Sequence, residues 1–377
     1  MVWTRRQFVS RGSLALFGAA TSALAFSADS GERREALPDG SAAKGMFTAD
    51  TDQAIARGLA YLNDHRNTRD ALYGSFGTNN YHGNVAVTSL AALAFMAAGH
   101  QPNRGAYGQI VTDAVRYVIA QNKDRNFPGF LNAWPNGTPF GPMYGHGFGT
   151  LFLAEVSGMI PDADLRDKVR DTLHAAVQLI VKSQNAEGGW RYTPGTREAD
   201  ISVTICQVMA LRAARNAGVF VPKTTVDKCV EYVKNCQDRR EGWFRYMAQG
   251  GPGERDAFAR TAAGVVALNT AGIYNGPEVE NGLEYLLKKR PVRNGGMGLG
   301  RPGPDMYYFY GHYYAVQAMW TAGGRYWKEW FPSIRDELLR AQQGDGSWMD
   351  QVCPHYATAM ACIILQIPNN YLPIMQK

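Results

Sequence analysis

An all-α fold, an (α/α)6 toroid of six inner and six outer helices, follows from three features of this 377-residue sequence. An apolar helix pattern recurs six times in one register, with landmarks at Thr88, His146, Thr204, Thr261, His312 and His355. Helices with a single apolar stripe alternate with helices that are apolar nearly all round. Turns rich in glycine and aromatic residues separate them. A repeat of this period builds one shared core rather than the separate domains that length alone suggests.

The chain opens with Thr4, Arg5, Arg6, Gln7, Phe8 and Val9, then an apolar run over 14–26 and small residues at Ser27 and Ala28. Charged, then apolar, then small is the order of a twin-arginine export signal, expected over 1–28. The apolar run is short for a transmembrane helix. Export puts the mature protein in the periplasm or outside the cell, and a signal left uncleaved adds membrane contact. A disordered tail is the plainer alternative. Residues 29–48, polar and punctuated by Gly and Pro, read as a linker, and 49–377 as the toroid.

Outer helices are expected over 51–63, 110–121, 165–184, 225–236, 279–289 and 332–342. In the fourth of these, Val226, Cys229, Val230 and Val233 fall at i, i+3, i+4 and i+7. Inner helices such as 85–98 and 261–271 are apolar on every side and therefore buried on every side. Six residues beyond most landmarks stands Ala94, Ala210, Ala267, Ala318 or Ala361, and Gly99, Gly272 and Gly323 follow in three copies. The second copy is one residue out of step, and the third carries a short insertion before Gly218.

Composition bounds the partners. With 45% hydrophobic and 19% charged residues the chain has an ordinary globular balance and length enough for a large core. The net charge of +6 falls to +3 without Arg5, Arg6 and Arg11, and no basic stripe with interleaved aromatics appears. Nucleic acid is therefore not an expected partner. Five cysteines make an odd number. Cys229 and Cys236 are seven apart on one expected helix, about 10 Å along its axis, which is beyond disulfide reach. Cys206, Cys229, Cys236 and Cys362 read as small buried hydrophobes.

Two turns, Gln184 to Trp190 and Gln342 to Trp348, share the pattern Gln-x3-Gly-x-Trp. Gln237 to Trp243 is a degraded copy, and 121–130 and 289–298 are weaker ones. This resembles the Gln-Trp repeat of terpenoid cyclases, related to that of protein prenyltransferase β subunits, and covers roughly residues 50–367. Gln at a helix end can bond unpaired backbone groups, Gly permits the reversal, and Trp buries a flat surface between units. Trp190, Trp243 and Trp348 are thus expected to be structural staples.

In such a toroid the N-termini of the inner helices converge on one mouth, to which they present partial positive charge. The landmark residues are expected there, with Tyr81, His82, Tyr144, Phe148, Asp200, Arg260, Tyr307, Tyr308, Tyr310, Tyr313 and Cys353. Tyr144-Gly145-His146 and Tyr310-Gly311-His312 occupy equivalent places and suggest a wall of aromatics and imidazoles. His146, Tyr144, Tyr307, Tyr313 and Phe148 are the expected substrate contacts. The plainer alternative is that the histidines bond neighbouring backbone carbonyls.

The resemblance implies further candidates. Prenyltransferase β subunits hold catalytic zinc with an Asp-x-Cys pair and a His from another helix. Cys353 and His355 with His312 resemble that layout with changed ligand types, and Asp350 adds a fourth ligand or an acceptor behind them. Cys353 packed and inert, beside Pro354 as a first helical residue, is the alternative. The Asp-x-Asp-Asp acid of squalene-type cyclases is absent; the nearest equivalent is Glu198-Ala199-Asp200, where Asp200 can instead be a helix cap. The Asp-Asp-x-x-Asp motif is absent too, and Asp162 and Asp164 fall in a turn. Exported (α/α) toroids also include polysaccharide lyases and glycosidases. In that reading Tyr310, His312 and Arg260 serve as base and charge-neutralising groups, and Asp200, Asp256 and Asp305 are the carboxylates near the mouth. Three functions stay open: an enzyme on an isoprenoid or other apolar substrate in an aromatic cavity, a non-catalytic binding or scaffolding toroid, and a carbohydrate-active lyase or hydrolase. The partner expected is a small-molecule or lipid-like substrate.

Overall fold

The computed structural model describes residues 43–132, 141–250, 257–290 and 307–376. The expected export signal, the linker up to residue 42, Asp256 and Asp305 lie outside the described residues, as does the turn copy at 289–298 beyond Arg290. The outer helices are α1 (Ala49–Asp64), α3 (Gly108–Ile119), α5 (Ala163–Ser183), α7 (Lys223–Asn235), α9 (Pro277–Lys288) and α11 (Gly324–Ala341). The inner helices are α2 (Val85–Ala97), α4 (Pro142–Val156), α6 (Ile201–Asn216), α8 (Phe258–Thr270), α10 (Tyr308–Ala322) and α12 (Pro354–Gln366). Each inner helix packs on the next, and α12 packs back on α2, so the ring closes. The fold is an α/α toroid.

Local chemistry sets the helix starts. Asn84, Asp162 and Asp200 accept from the backbone N–H of Val87, Leu165 and Val203 at 3.1, 2.7 and 2.9 Å. Pro142, Pro277 and Pro354 stand in the first turn, where a missing N–H costs nothing. Burial follows the two-layer pattern. Every residue of α2 except Ala86 is buried, whereas α11 buries only Trp327, Trp330, Phe331, Ile334 and Leu338. The sixth outer helix differs from the expectation. It begins at Gly324, so Pro332 lies inside the helix rather than at its start. The aromatics before Pro332 explain this, since Trp327 stacks on Phe331 at 4.4 Å and Trp330 is fully buried, which holds the segment from Gly324 to Phe331 in the helix.

The turns between outer and inner helices hold the layers together. Gln184, Gln237 and Gln342 each donate to a carbonyl of their own turn and to one in the first turns of the next outer helix, Thr225, Glu278 and Ala54 respectively. The turn glycines Gly74, Gly129, Gly188, Gly242 and Gly346 all have φ between 79° and 98°. At each, a Cβ would stand 2.2–2.7 Å from a backbone oxygen of the following outer helix, at Asp113, Ala175, Lys228, Asn281 and Arg57. Glycine is needed there for both its conformation and its bareness.

Two residues after each of these glycines lies the staple: Phe76, Leu131, Trp190, Phe244 and Trp348. All five are buried. Trp190 and Trp348 also donate their indole N–H to Ile180 and Leu338 of the preceding helix, at 2.7 and 2.9 Å. In the fourth unit the staple is Phe244; the expected Trp243 is only half-buried. Counting from the glycine rather than from the tryptophan gives the correct register, and it reveals Gly74-Ser75-Phe76 as a first-unit copy.

Candidate functional site

The landmark residues turn away from the mouth. The Oγ1 atoms of Thr88, Thr204, Thr261 and Thr358 accept the backbone N–H of the staples Phe76, Trp190, Phe244 and Trp348 at 3.0–3.1 Å. His146 does the same through Nδ1, accepting from Leu131 N–H at 3.2 Å, while Nε2–H donates to the Ala176 carbonyl at 3.2 Å. The sixth landmark is therefore Thr358, and His355 lies three residues before it. An ordered turn needs an acceptor for this buried N–H, and Thr or neutral His each supply one. Burial pushes the His146 imidazole down to about 4 and that of His312 to about 3.

His312 faces the outer layer, with the rings of Tyr308, Phe258 and Trp330 at 4.4, 4.8 and 5.6 Å. His355 faces α1, where Nε2 donates to the His65 carbonyl at 2.8 Å. The expected metal set of His312, Cys353 and His355 is not assembled. Among the described residues no three His, Cys, Asp or Glu side chains are placed to hold a metal ion. The reason is directional. α10 and α12 are neighbours, but their imidazoles point outward to different outer helices. Cys353 is buried at the N-cap position of α12 with no capping bond from its side chain, and burial raises its thiol above the usual range.

The mouth is lined from the position two residues before each landmark: Ala86, Tyr144, Ser202, Ala259, Tyr310 and Tyr356. All six are half-buried. Tyr144 donates to Ser202 Oγ at 2.9 Å, and Ser202 donates to Asp200 Oδ1 at 2.6 Å. Tyr310, two inner helices away from α6, reaches the Ser202 carbonyl at 2.8 Å. One turn deeper the axis is filled. α4 and α10 are opposite members of the ring, yet Phe148 and Tyr313 touch with ring centroids 6.1 Å apart. Beside them Cys206 Sγ meets the Tyr314 hydroxyl at 3.3 Å. Phe148 and Tyr313, expected to contact substrate, instead form part of this plug.

Asp200 is fully buried. It caps α6 and faces Arg191 Nη1 at 3.6 Å. Burial raises its carboxyl, against the lowering influence of Ser202, the Val203 amide, Arg191 and Tyr246. Arg191 also pairs with Glu198 and lies over the rings of Tyr192 and Tyr246 at 4.9 and 5.6 Å. The hydroxyls of Tyr192 and Tyr246 bond each other. Their backbone carbonyls accept the N–H of Met143 and Ile201, at 3.0 Å each, and so satisfy first-turn donors of α4 and α6. Across the ring, half-buried Asp350 accepts from Val352 N–H at 2.8 Å, and burial raises its carboxyl. Tyr81 and Tyr356 feel its charge. Tyr307 is 60% exposed and feels Tyr192 and the half-buried Arg260. Exposed His82 bonds Asn67 Oδ1 at 2.9 Å.

Arg191, Tyr192, Ser202, Tyr246 and Tyr356 were not foreseen. A signal for three of them exists, because Trp190-Arg191-Tyr192 and Phe244-Arg245-Tyr246 are matching triplets that begin at the staple.

No protein-family model and no curated protein matches this sequence. Solved structures do. A type II terpene cyclase from Scytonema superposes with a TM-score of 0.58 at 14% identity, over 86% of this chain and 99% of that one. An inactive alpha-1,6-mannanase variant from Salegentibacter, in complex with alpha-1,6-mannotetrose, gives 0.59 at 9% identity, over 85% and 99%. A family 76 mannosidase from Bacteroides thetaiotaomicron gives 0.58 at 11% identity, over 85% and 98%. Likeness at these identities is likeness of fold, shared by terpene and sugar enzymes alike.

Proposed function

We propose that this is an exported toroid that binds a polyhydroxylated ligand, a carbohydrate chain, at the mouth formed by the N-termini of its inner helices. The reading rests chiefly on the plug. An isoprenoid needs a deep, dry cavity along the axis, and Phe148, Tyr313, Tyr314 and Cys206 fill the axis one turn below the mouth. Above the plug the described lining is rich in hydroxyls, with Tyr144, Ser202, Tyr310 and Tyr356 half-buried and Arg191 and Asp350 beside the opposite helices α6 and α12. Tyrosine faces suit the C–H faces of a pyranose, and phenols, guanidinium and carboxylate suit its hydroxyls.

The test is a glycan array followed by calorimetry on the purified protein, with a prenyl alcohol as the competing class. Binding of an oligosaccharide, weakened at least tenfold by Tyr356→Ala while the far-ultraviolet circular dichroism of the folded protein is retained, is the expected result. Binding of the prenyl alcohol alone restores the apolar-substrate reading. Binding of neither leaves a scaffold and overturns the proposal.

A further inference from the structure

The far end of the toroid, where the inner helices finish, is crossed by the chain's last turns. The turn Ile367–Asn369 packs on α10 and α12, and the turn Pro373–Met375 packs on α6. Asn369 donates to the Ala97 carbonyl at the end of α2 at 3.5 Å, and Arg212 of α6 donates to the Gln376 carbonyl at 3.0 Å. Leu372, Ile374 and Met375 are buried against the core. Ile374 N–H donates to Glu155 Oε2, at the end of α4, at 3.3 Å.

Glu155 is the unusual member of this interface. It is 4% exposed, and among the described residues it forms no ion pair. Tyr313 of α10 feels its charge. On α6, Arg212 is engaged by the carbonyls of Asn269 and Gln376. Among the described residues the charged form thus has a single long hydrogen bond and no cation to offset its loss of water, whereas the neutral form carries no such penalty. Docking of the segment and protonation of this carboxyl must therefore favour each other.

We infer that residues 367–376 are a lid over the far end of the toroid, held shut while Glu155 is protonated and released as it ionises. This inference is independent of the ligand at the mouth. The sign follows from the direction of the shift. Burial raises the carboxyl from 4.5 to about 7 in the closed form. Closure is complete below 4.5, weakens as pH rises from there to 7, and changes little beyond. With those two limits the opening constant grows roughly 70-fold between pH 5 and pH 8.

Hydrogen exchange of the intact protein, corrected for the intrinsic pH dependence of exchange, reads this directly on peptides covering 367–376. The wild type should lose protection there by several tens of fold between pH 5 and pH 8, while α2 and α8 keep theirs. Glu155→Gln, neutral at every pH, should keep the segment protected throughout. Should that variant misfold, Ile374→Pro removes the donor to the carboxylate and should move release to lower pH. Protection of 367–376 that is independent of pH in the wild type, or equally pH-dependent in Glu155→Gln, overturns the inference.

Discussion

Gly188→Ala tests how the repeat is built. Gly188 has φ of +98°, and a Cβ there would stand 2.2 Å from the Lys228 oxygen and 2.6 Å from its carbonyl carbon. Both atoms are backbone in the middle of α7, so no rotamer relieves the clash. Left-handed backbone costs a non-glycine residue about 1–2 kcal/mol. Overpacking against a fixed neighbour adds about 1–3 kcal/mol, for a total of roughly 2–5 kcal/mol. Displacing α7 also strains the paired bonds from Gln184 to the Gly188 and Thr225 carbonyls. Gly158 supplies the control, since it has φ of +82° and nothing within 4 Å of a Cβ. Gly158→Ala should therefore show only the backbone cost, about 1–2 kcal/mol. Thermal unfolding followed by circular dichroism should place Gly188→Ala several degrees below Gly158→Ala, taking about 2 °C per kcal/mol for a domain this large. Equal melting temperatures would refute the claim that the turn glycines seat one outer helix on the next.

Two further predictions concern the same units. Phe244→Ala should cost about 3–5 kcal/mol as a buried aromatic, and Trp243→Ala about 1 kcal/mol; denaturant unfolding of the pair checks this, and the reverse order would return the staple to Trp243. For His146 the folded value of about 4 lies below the usual 6.5, so its stabilisation is complete above 6.5 and is lost as pH falls through 4. His146→Thr, which keeps an acceptor for Leu131 N–H, should lower stability at neutral pH by about 1–2 kcal/mol through loss of the Ala176 bond and packing. It should also flatten the acid side of the melting-temperature profile between pH 6.5 and 4; an unchanged slope would show that His146 does not titrate with unfolding.

The turn pattern was legible because its parts are local and repeated. Gln184, Gly188 and Trp190 each do a job set within one turn, and the copy at Gln342 to Trp348 repeats it with the same bonds. At Trp243 composition misleads, because distance from Gly242 selects Phe244 as the buried staple. Asp200 as a helix cap was readable for the same local reason. The metal set was not legible, because spacing along the chain says nothing about which way a helix is rotated. His312 and His355 lie on adjacent inner helices and still face different outer ones.

The sequence by itself determined the architecture: alternating one-sided and all-round apolar helices can bury their surfaces together only in two closed layers. It also determined the turns, whose glycines and glutamines act within a few residues of themselves. Only the tertiary structure decided what the landmark ring is for, what blocks the axis and what meets at either end. Those outcomes depend on helix rotation and on contacts between residues a hundred or more apart, such as Tyr310 with Ser202 and Ile374 with Glu155. A two-residue step along an inner helix turns a side chain by about 200°. That rotation separates an acceptor buried against a turn from a hydroxyl at the mouth.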